Sequence, residues 1–525
     1  MSRIGKLAII GVAAVAAAFG LAACGDDDSG GGGGTIIRGT TDQPISYDPA
    51  GAYDLPSYDG IYAAYQNLMQ FPPGATKPEP EAAESCDFTD NSNTTFECTM
   101  RDGLKFSDGS PLTAEDVVFS FERNVEIADP NGASSLLANM QSLEAPDDKT
   151  VVFHLKEPDA TWPSVIATAS FAIVPSDVYP KDKLQKDDFV GSGRYEIAEY
   201  EPGQQTVLQA NPEYTGEDPP QTDQIINQYF DKGSALKLAL EQGDVDIAYR
   251  SLSPTDFDDL ETAEGVNVVS GEGTEIRYMV FNLDLMPGDN DEQKLAIRQA
   301  VAQTIDRESI AQNVYNGTVE PLYSMIPQGL DFANDSYFKE MYGESPDVDA
   351  AKQTLEGAGV KTPVPLEVWW TPTHYGTSSG DEYAEIKRQL DDSGLFDVTL
   401  KSTEWNQYST AAFTDKYPVY QLGWFPDYPD ADDYVGNFYS KTSFLNIHYN
   451  DPEMQKQLAA EKASDDDATR QAAFDKVQEI GAEDVPTIPI WQANQVAGVA
   501  DGVEGVEETF DPSFIFRYWL LTKSD

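Results

Sequence analysis

The sequence predicts a mixed α/β fold, and three observations carry the prediction. Val151, Phe153 and Leu155 alternate with Val152, His154 and Lys156, the period-two pattern of a half-buried strand. Thr113-Ala114-Glu115-Asp116 is a helix start with an acidic third residue, followed by Val117, Phe121 and Val125 at four-residue spacing. Signals of both kinds alternate along the chain, punctuated by 33 prolines and 40 glycines.

The first element is an address. Arg3 and Lys6 precede an uncharged apolar run from Leu7 to Ala22. That run falls short of the roughly 20 residues needed to span a bilayer, so residues 1–23 read as a signal peptide. It ends Leu21-Ala22-Ala23-Cys24, which resembles the lipobox of bacterial lipoproteins and implies that Cys24 is lipidated and becomes the first mature residue. Residues 24–34, rich in Gly and Asp, form a flexible polar tether, and the folded body is expected from about Thr35, outside the cytoplasmic membrane.

Next come Cys86 and Cys98, separated by a strand, polar turn, strand pattern in which Phe96, Cys98 and Met100 share a face. A disulfide across this hairpin would stabilise by about 3 kcal/mol on the loop-entropy model. A metal or redox pair would want a C-x-x-C spacing or nearby histidines, and neither is present. Further along, Ile297, Val301 and Ile305 repeat the helical spacing, and Asp306 opens a second helix carrying Ile310 and Val314.

Composition sets the class. Ninety Asp and Glu against 34 Lys and Arg give a net charge of −56, and loss of Arg3 and Lys6 with the leader makes the mature chain two charges more negative. Such a chain is repelled by nucleic acid and by anionic headgroups. It is no acidic disordered tail either, because 40% of the residues are hydrophobic and 11% aromatic. Its 525 residues suggest two to four domains at about 100–200 residues each, with no internal repeat.

Phe106-Ser107-Asp108-Gly109-Ser110-Pro111-Leu112-Thr113-Ala114-Glu115-Asp116-Val117-Val118-Phe119-Ser120-Phe121-Glu122-Arg123 closely resembles the signature of the bacterial extracellular solute-binding proteins of the peptide/nickel family, which deliver ligand to ABC importers. Similar stretches follow in the family's order: Gly193-Arg194-Tyr195, Gly243-Asp244-Val245-Asp246-Ile247, Ile297 to Arg307, and Gly423-Trp424-Phe425-Pro426-Asp427-Tyr428-Pro429-Asp430. The resemblance covers nearly all of 35–525. It implies a periplasmic-binding-protein-like fold, a bilobal cleft with an extra inserted domain, three lobes in all. By motif position the first lobe is discontinuous (35–75, 191–275 and 495–525), the insertion is 76–190 and the third lobe is 276–494. Ligand would be enclosed between the first and third lobes by hinge closure. The implied partners are a peptide or related small solute, the permease subunits of an importer driven by separate ATPases, and the membrane through the anchor at Cys24. No cofactor is implied, and family members are usually monomers.

Asp427 matches the family position whose carboxylate grips the α-ammonium group of a peptide, which suits a partly dry cleft where a charge-assisted bond gives both attraction and direction. Trp405 and Trp424 are spaced as in relatives whose matching tryptophans line side-chain pockets, and aromatic walls tolerate varied side chains. The backbone of Gly423 and Phe425 is a candidate for strand-like bonding to an extended ligand. Tyr47, Tyr53, Tyr58, Trp369 and Trp370 are further candidates to face the cleft. Where relatives can place arginines that clamp a short peptide's carboxylate, this chain has Ala412 and Gln421, and only Lys416 is cationic between the two tryptophans. This argues against a reader of fixed-length di- or tripeptides and for longer peptides or an amine without a carboxylate, unless Arg277 or Arg388 supplies the cation.

No catalytic function is expected: the sequence is read as carrying no G-x-S-x-G nucleophile elbow and no H-E-x-x-H, Walker or G-x-G-x-x-G motif. His154, His374 and His448 are dispersed; His154 should face solvent, and His374 is the candidate should the ligand be a nickel chelate. Asp427, Asp430, Asp432 and Asp433 lack the EF-hand spacing, so a solvated loop is expected rather than a calcium site. The alternatives carried forward are an oligosaccharide or nickel-chelate binder, a surface peptide sensor, and a surface hydrolase with paired carboxylates.

Overall fold

The computed structural model describes residues 34–90, 92–250 and 252–524. The leader, Cys24 and most of the tether lie outside these residues. Among the described residues no helix is long and apolar enough to cross a membrane.

Three sheets organise the chain. The first has seven strands in the order Val266–Gly271, Gln495–Ala500, Ile247–Tyr249, Thr35–Thr40, Gln224–Tyr229, Gln205–Ala210 and Tyr195–Glu201. Thr35–Thr40 runs parallel to both of its neighbours, and the outer pairings are antiparallel. Its strands thus come from three separated stretches of sequence.

The second sheet is antiparallel, Ala83–Phe88, Thr95–Met100, Thr150–Leu155 and Met140–Glu144 in order. Cys86 and Cys98 face each other across the first pair and are bonded as the spacing predicts. The helix Ala114–Ile127 starts in a Thr113–Asp116 capping box and buries Val117 and Phe121, the latter edge-on to Phe153 at 5.1 Å. Val125, expected on the same face, is 48% exposed while its neighbours Arg123 and Asn124 are buried, because a four-residue spacing drifts about 40° per step and has left the buried face by the third member. This sheet has no core of its own. Ile36 and Ile225 of the first sheet and Phe96, Phe153 and Trp162 of the second belong to one continuous apolar cluster. The two sheets therefore form one packed body.

The third sheet has six strands, Val319–Pro321, Thr487–Ala493, Ile276–Phe281, Val419–Trp424, Val364–Trp370 and Phe396–Ser402. All six residues of Ile276–Phe281 are buried, as a strand covered on both faces requires. Met279 and Phe281 pack under the helices Asp291–Thr304, Arg307–Asn313 and Ser379–Asp392. Ile276, Tyr278 and Val280 pack under Trp405–Ala412, Asp432–Tyr439 and Asp467–Asp484. The predicted pair of helices around Ile305 is present, with Asp306 capping the second through the Ser309 N–H.

The chain passes from the first sheet to the third near Gly273 and returns near Asn494. These two connectors touch: the Ala493 N–H donates to the Glu275 carbonyl at 2.8 Å, and a Cβ on Gly273 would stand 2.4 Å from the Ala493 carbonyl oxygen. Only glycine fits there.

Candidate functional site

The site grows from the end of the strand Val419–Trp424. Pro426 and Pro429 lack N–H groups and stop the strand from continuing, so Phe425 to Asp430 form a loop leading into the helix Asp432–Tyr439. Asp433 in that helix holds the loop in place. Its carboxylate accepts from the Trp424 indole and the Asp427 backbone N–H, both at 2.9 Å, and from Asn437 at 3.0 Å. The Asp427 side chain is thereby turned toward the first sheet's body, where the Tyr53 hydroxyl donates to it at 2.6 Å. Removal from water raises the Asp427 carboxyl to about 6. Asp433 is pushed up too, by burial and then by the charge of Asp427. A cation arriving here would relieve both.

Three cavities that share wall residues lie around this loop. One of about 600 Å³ is walled by Tyr53, Pro56, Tyr58, Arg250, Phe425 and Asp427. A second of about 310 Å³ is aromatic, with Trp405, Phe413, Trp424 and Phe444 opposite Arg277 and Tyr375. A third of about 740 Å³ lies beyond, bounded by Arg250, Arg277, Tyr315, Tyr375, Trp491 and Phe514. Phe425 separates the first from the third: its ring is 4.3 Å from that of Phe514, and the Arg250 guanidinium is 5.0 Å from its centre.

Asp427, Trp424, Phe425, Gly423, Trp405 and Tyr53 are brought together at these walls, and Tyr58 joins them. Other candidates are elsewhere. Tyr47 is 1% exposed and bonds Thr206 inside the first body. Trp369 stacks on Tyr417 at 4.1 Å and donates to Glu367, and Trp370 packs on the helix-covered face near Gly380; neither walls one of these three cavities. Strand alternation sends consecutive residues to opposite faces, and at the end of Val364–Trp370 both faces are covered by helices. His374 stacks on Trp405 at 3.6 Å, and burial beside Arg277 lowers it to about 4. His154 lies on its strand's polar side near Glu144, and His448 pairs with Asp415 at 2.7 Å. The acidic cluster is not the solvated loop expected: Asp432 and Asp433 are buried in the first turn of a helix, Asp430 takes Arg470 through two bonds of 2.8 Å and Asp432 takes Lys462 at 3.0 Å, so these carboxylates face different partners.

The charge balance differs from the sequence expectation. Arg388 is on the solvent side of the helix Ser379–Asp392 with Glu385 and Asp392, and Lys416 is exposed, but Arg250 and Arg277 both reach the cavities. Arg250 pairs with Asp42 at 2.9 Å and Arg277 with Glu275 at 2.6 Å. Gly423 sits opposite Arg277 in the ladder, where a Cβ would come 2.3 Å from the guanidinium. Its missing side chain makes room for Arg277.

Residues 77–446 match the family model described as bacterial extracellular solute-binding proteins, family 5, middle region. The chain belongs to this family. Among its relatives, the dipeptide-binding protein DppE of Bacillus subtilis is 25% identical over 89% of this chain and 88% of its own length. The periplasmic oligopeptide-binding protein OppA of Haemophilus influenzae is 27% identical over 87% of each. The solved ABC transporter substrate-binding protein CtaP of Listeria monocytogenes superposes with a TM-score of 0.81 at 24% identity, covering 94% of this chain and all of its own. This family-5 protein therefore has the bilobal α/β fold of periplasmic binding proteins.

Sequence reasoning missed Arg250, Asp433 and Tyr375 in this family-5 cleft. Arg250 follows the Gly243 to Tyr249 motif but adopts φ +68°, which no pattern announces. It also passed over Gly376-Thr377-Ser378-Ser379-Gly380, which has G-x-S-x-G spacing. Ser378 has ordinary right-handed angles, φ −74° and ψ −10°, at the start of a helix, without the strained strand-to-helix turn of a nucleophile elbow.

Proposed function

We propose that this protein is the lipid-anchored, substrate-binding component of an ABC importer and captures peptides or a related amine-bearing solute, with the ligand's ammonium group on Asp427. The observation that carries the reading is the Asp427 carboxylate, held by Asp433 and Tyr53, raised to about 6 by loss of solvent, and open to a cavity of about 600 Å³. A desolvated carboxylate of this kind favours a cation strongly. Trp424 and Trp405 would line a side-chain pocket, and Gly423 and Phe425 would present backbone to the ligand. The names of the relatives, dipeptide- and oligopeptide-binding, support the same class.

In this reading the first and second sheets form the moving body that closes on the third, with the lobes divided near residues 275 and 495 and the insertion at 76–190. Cys24 holds the whole at the outer face of the cell membrane, next to its permease. Titration calorimetry with a free and an N-acetylated peptide tests the anchor: the free amine should bind and the blocked one should not. Equal affinities would remove Asp427 from the ligand, and heat from an oligosaccharide or metal chelate alone would replace the peptide reading. Replacing Cys24 with serine should release the protein into the medium; retention in the membrane would refute the lipid anchor.

A further inference from the structure

The segment 371–378 joins the strand Val364–Trp370 to the helix Ser379–Asp392, and its two rings divide the cleft. His374 and Tyr375 belong to the walls of both the aromatic cavity and the large one beyond it. The His374 ring lies flat on Trp405, with 5° between planes, and Tyr375 meets the same indole edge-on at 5.5 Å. Arg277 covers the Tyr375 ring at 4.2 Å. This loop therefore occupies indole surface and a guanidinium, groups that a chain-like ligand would otherwise contact.

The loop is lightly held. Thr373, His374, Gly376 and Thr377 are exposed, and outside its rings it is fastened by Thr373 to Glu404 at 3.0 Å and by the Thr371 N–H to Gln421 at 3.3 Å. Its turn is closed at Gly376, whose φ of +89° suits glycine. Around its base and the helix that follows it are buried polar atoms without a protein partner: Thr371 Oγ1, Ser379 Oγ, Glu382 Oε1, Tyr383 Oη and Gln421 Nε2. Gln421 and Gly423 lie on one face of the third sheet with Arg277, and the helix bearing Glu382 and Tyr383 packs over that face. Buried polar groups are costly unless paired, and a peptide backbone carries the alternating donors and acceptors that would pair them.

We propose that His374 and Tyr375 set the length of the ligand: a chain bound at Asp427 and running into the aromatic annex is stopped at these two rings, and their withdrawal would join the annex to the largest cavity and admit a longer one. The proposal rests on the peptide reading of the same site. It reverses the preference for longer peptides expected from Ala412 and Gln421, because the obstruction comes from a loop outside the stretch between the two tryptophans.

The test is calorimetry on the full-length protein with a graded series of peptides, from dipeptide to octapeptide, that share their first two residues. The intact protein should bind the short members most tightly. Tyr375→Ala should raise the long-to-short affinity ratio by about tenfold or more. His374→Ala should move the ratio the same way, which keeps the test alive if Tyr375→Ala misfolds by circular dichroism. Tyr375→Phe, which keeps the wall, should leave the ratio near that of the intact protein. A length profile that is flat, or unmoved by Tyr375→Ala and His374→Ala, overturns the proposal while the peptide reading stands. If no peptide of any length binds, the peptide reading fails and takes the length proposal with it.

Discussion

Asp427 holds its charge at a cost, and that cost makes its role measurable. Its carboxyl sits at about 6 against 3.8 for an unburied one, so folding takes up protons between those two values. The sign follows: the ionised group opposes folding fully above pH 6, and the opposition disappears as pH falls toward 4. Asp427→Asn, which keeps an acceptor for Tyr53, should therefore raise the melting temperature of the unliganded protein at pH 7 and lose that advantage by pH 4. For an amine ligand the same substitution should weaken binding roughly 10- to 100-fold, from the ~1.5–3 kcal/mol of a hydrogen bond to a charged group. Affinity in the intact protein should fall below pH 6 as the carboxyl is protonated, while the ligand's α-ammonium persists up to about pH 8. A pH-independent affinity between 5 and 7 would contradict the pairing.

At the level of single elements, two features invite a direct test. Gly423→Ala places a Cβ 2.3 Å from a guanidinium that is itself tied to Glu275, so the strand end or Arg277 has to move. Denaturant titration should show a loss of about 1–3 kcal/mol, the usual range for overpacking. Replacing Cys86 and Cys98 together by serine should cost about 3 kcal/mol on the loop-entropy model, read in the same way. Elements were the most legible part of the sequence, because helix caps and strand alternation are local: Thr113 with Asp116, Asp306 with Ser309, and Phe96, Cys98 and Met100 on one face all lie within a few residues of each other. Val125 went astray because a four-residue spacing drifts off a helix face, and Trp370 because the helix that covers it is set by tertiary packing. The site was legible where a motif spans it, from Gly423 to Asp427. It was illegible at Arg250 and Tyr375, which meet it only through tertiary packing.

Over the whole molecule, the apolar cores partition differently from the sheets. The first and second sheets share one large cluster, the first has another on its far face under the helices Gly233–Gln242 and Pro254–Leu260, and the third sheet has its own two, one on each face. Amide exchange followed by mass spectrometry should accordingly find the strands Thr35–Thr40 and Thr150–Leu155 opening together, and Ile276–Phe281 opening separately; independent opening of the first two would contradict a common core. Tyr428, in the loop that bears Asp427, is counted in the shared cluster, so the anchoring loop is fastened to both bodies. Movement between the bodies also has to pass through the connectors at Gly273 and Ala493, which lie against each other. Two strands joined at one point leave a single direction of swing, as on a door whose pins are side by side. Under the proposed import role, a permease touching the outer surface would receive one bit, shut or not shut, and learn nothing of which solute is inside. All discrimination among solutes has to be completed within the cleft before the message is sent.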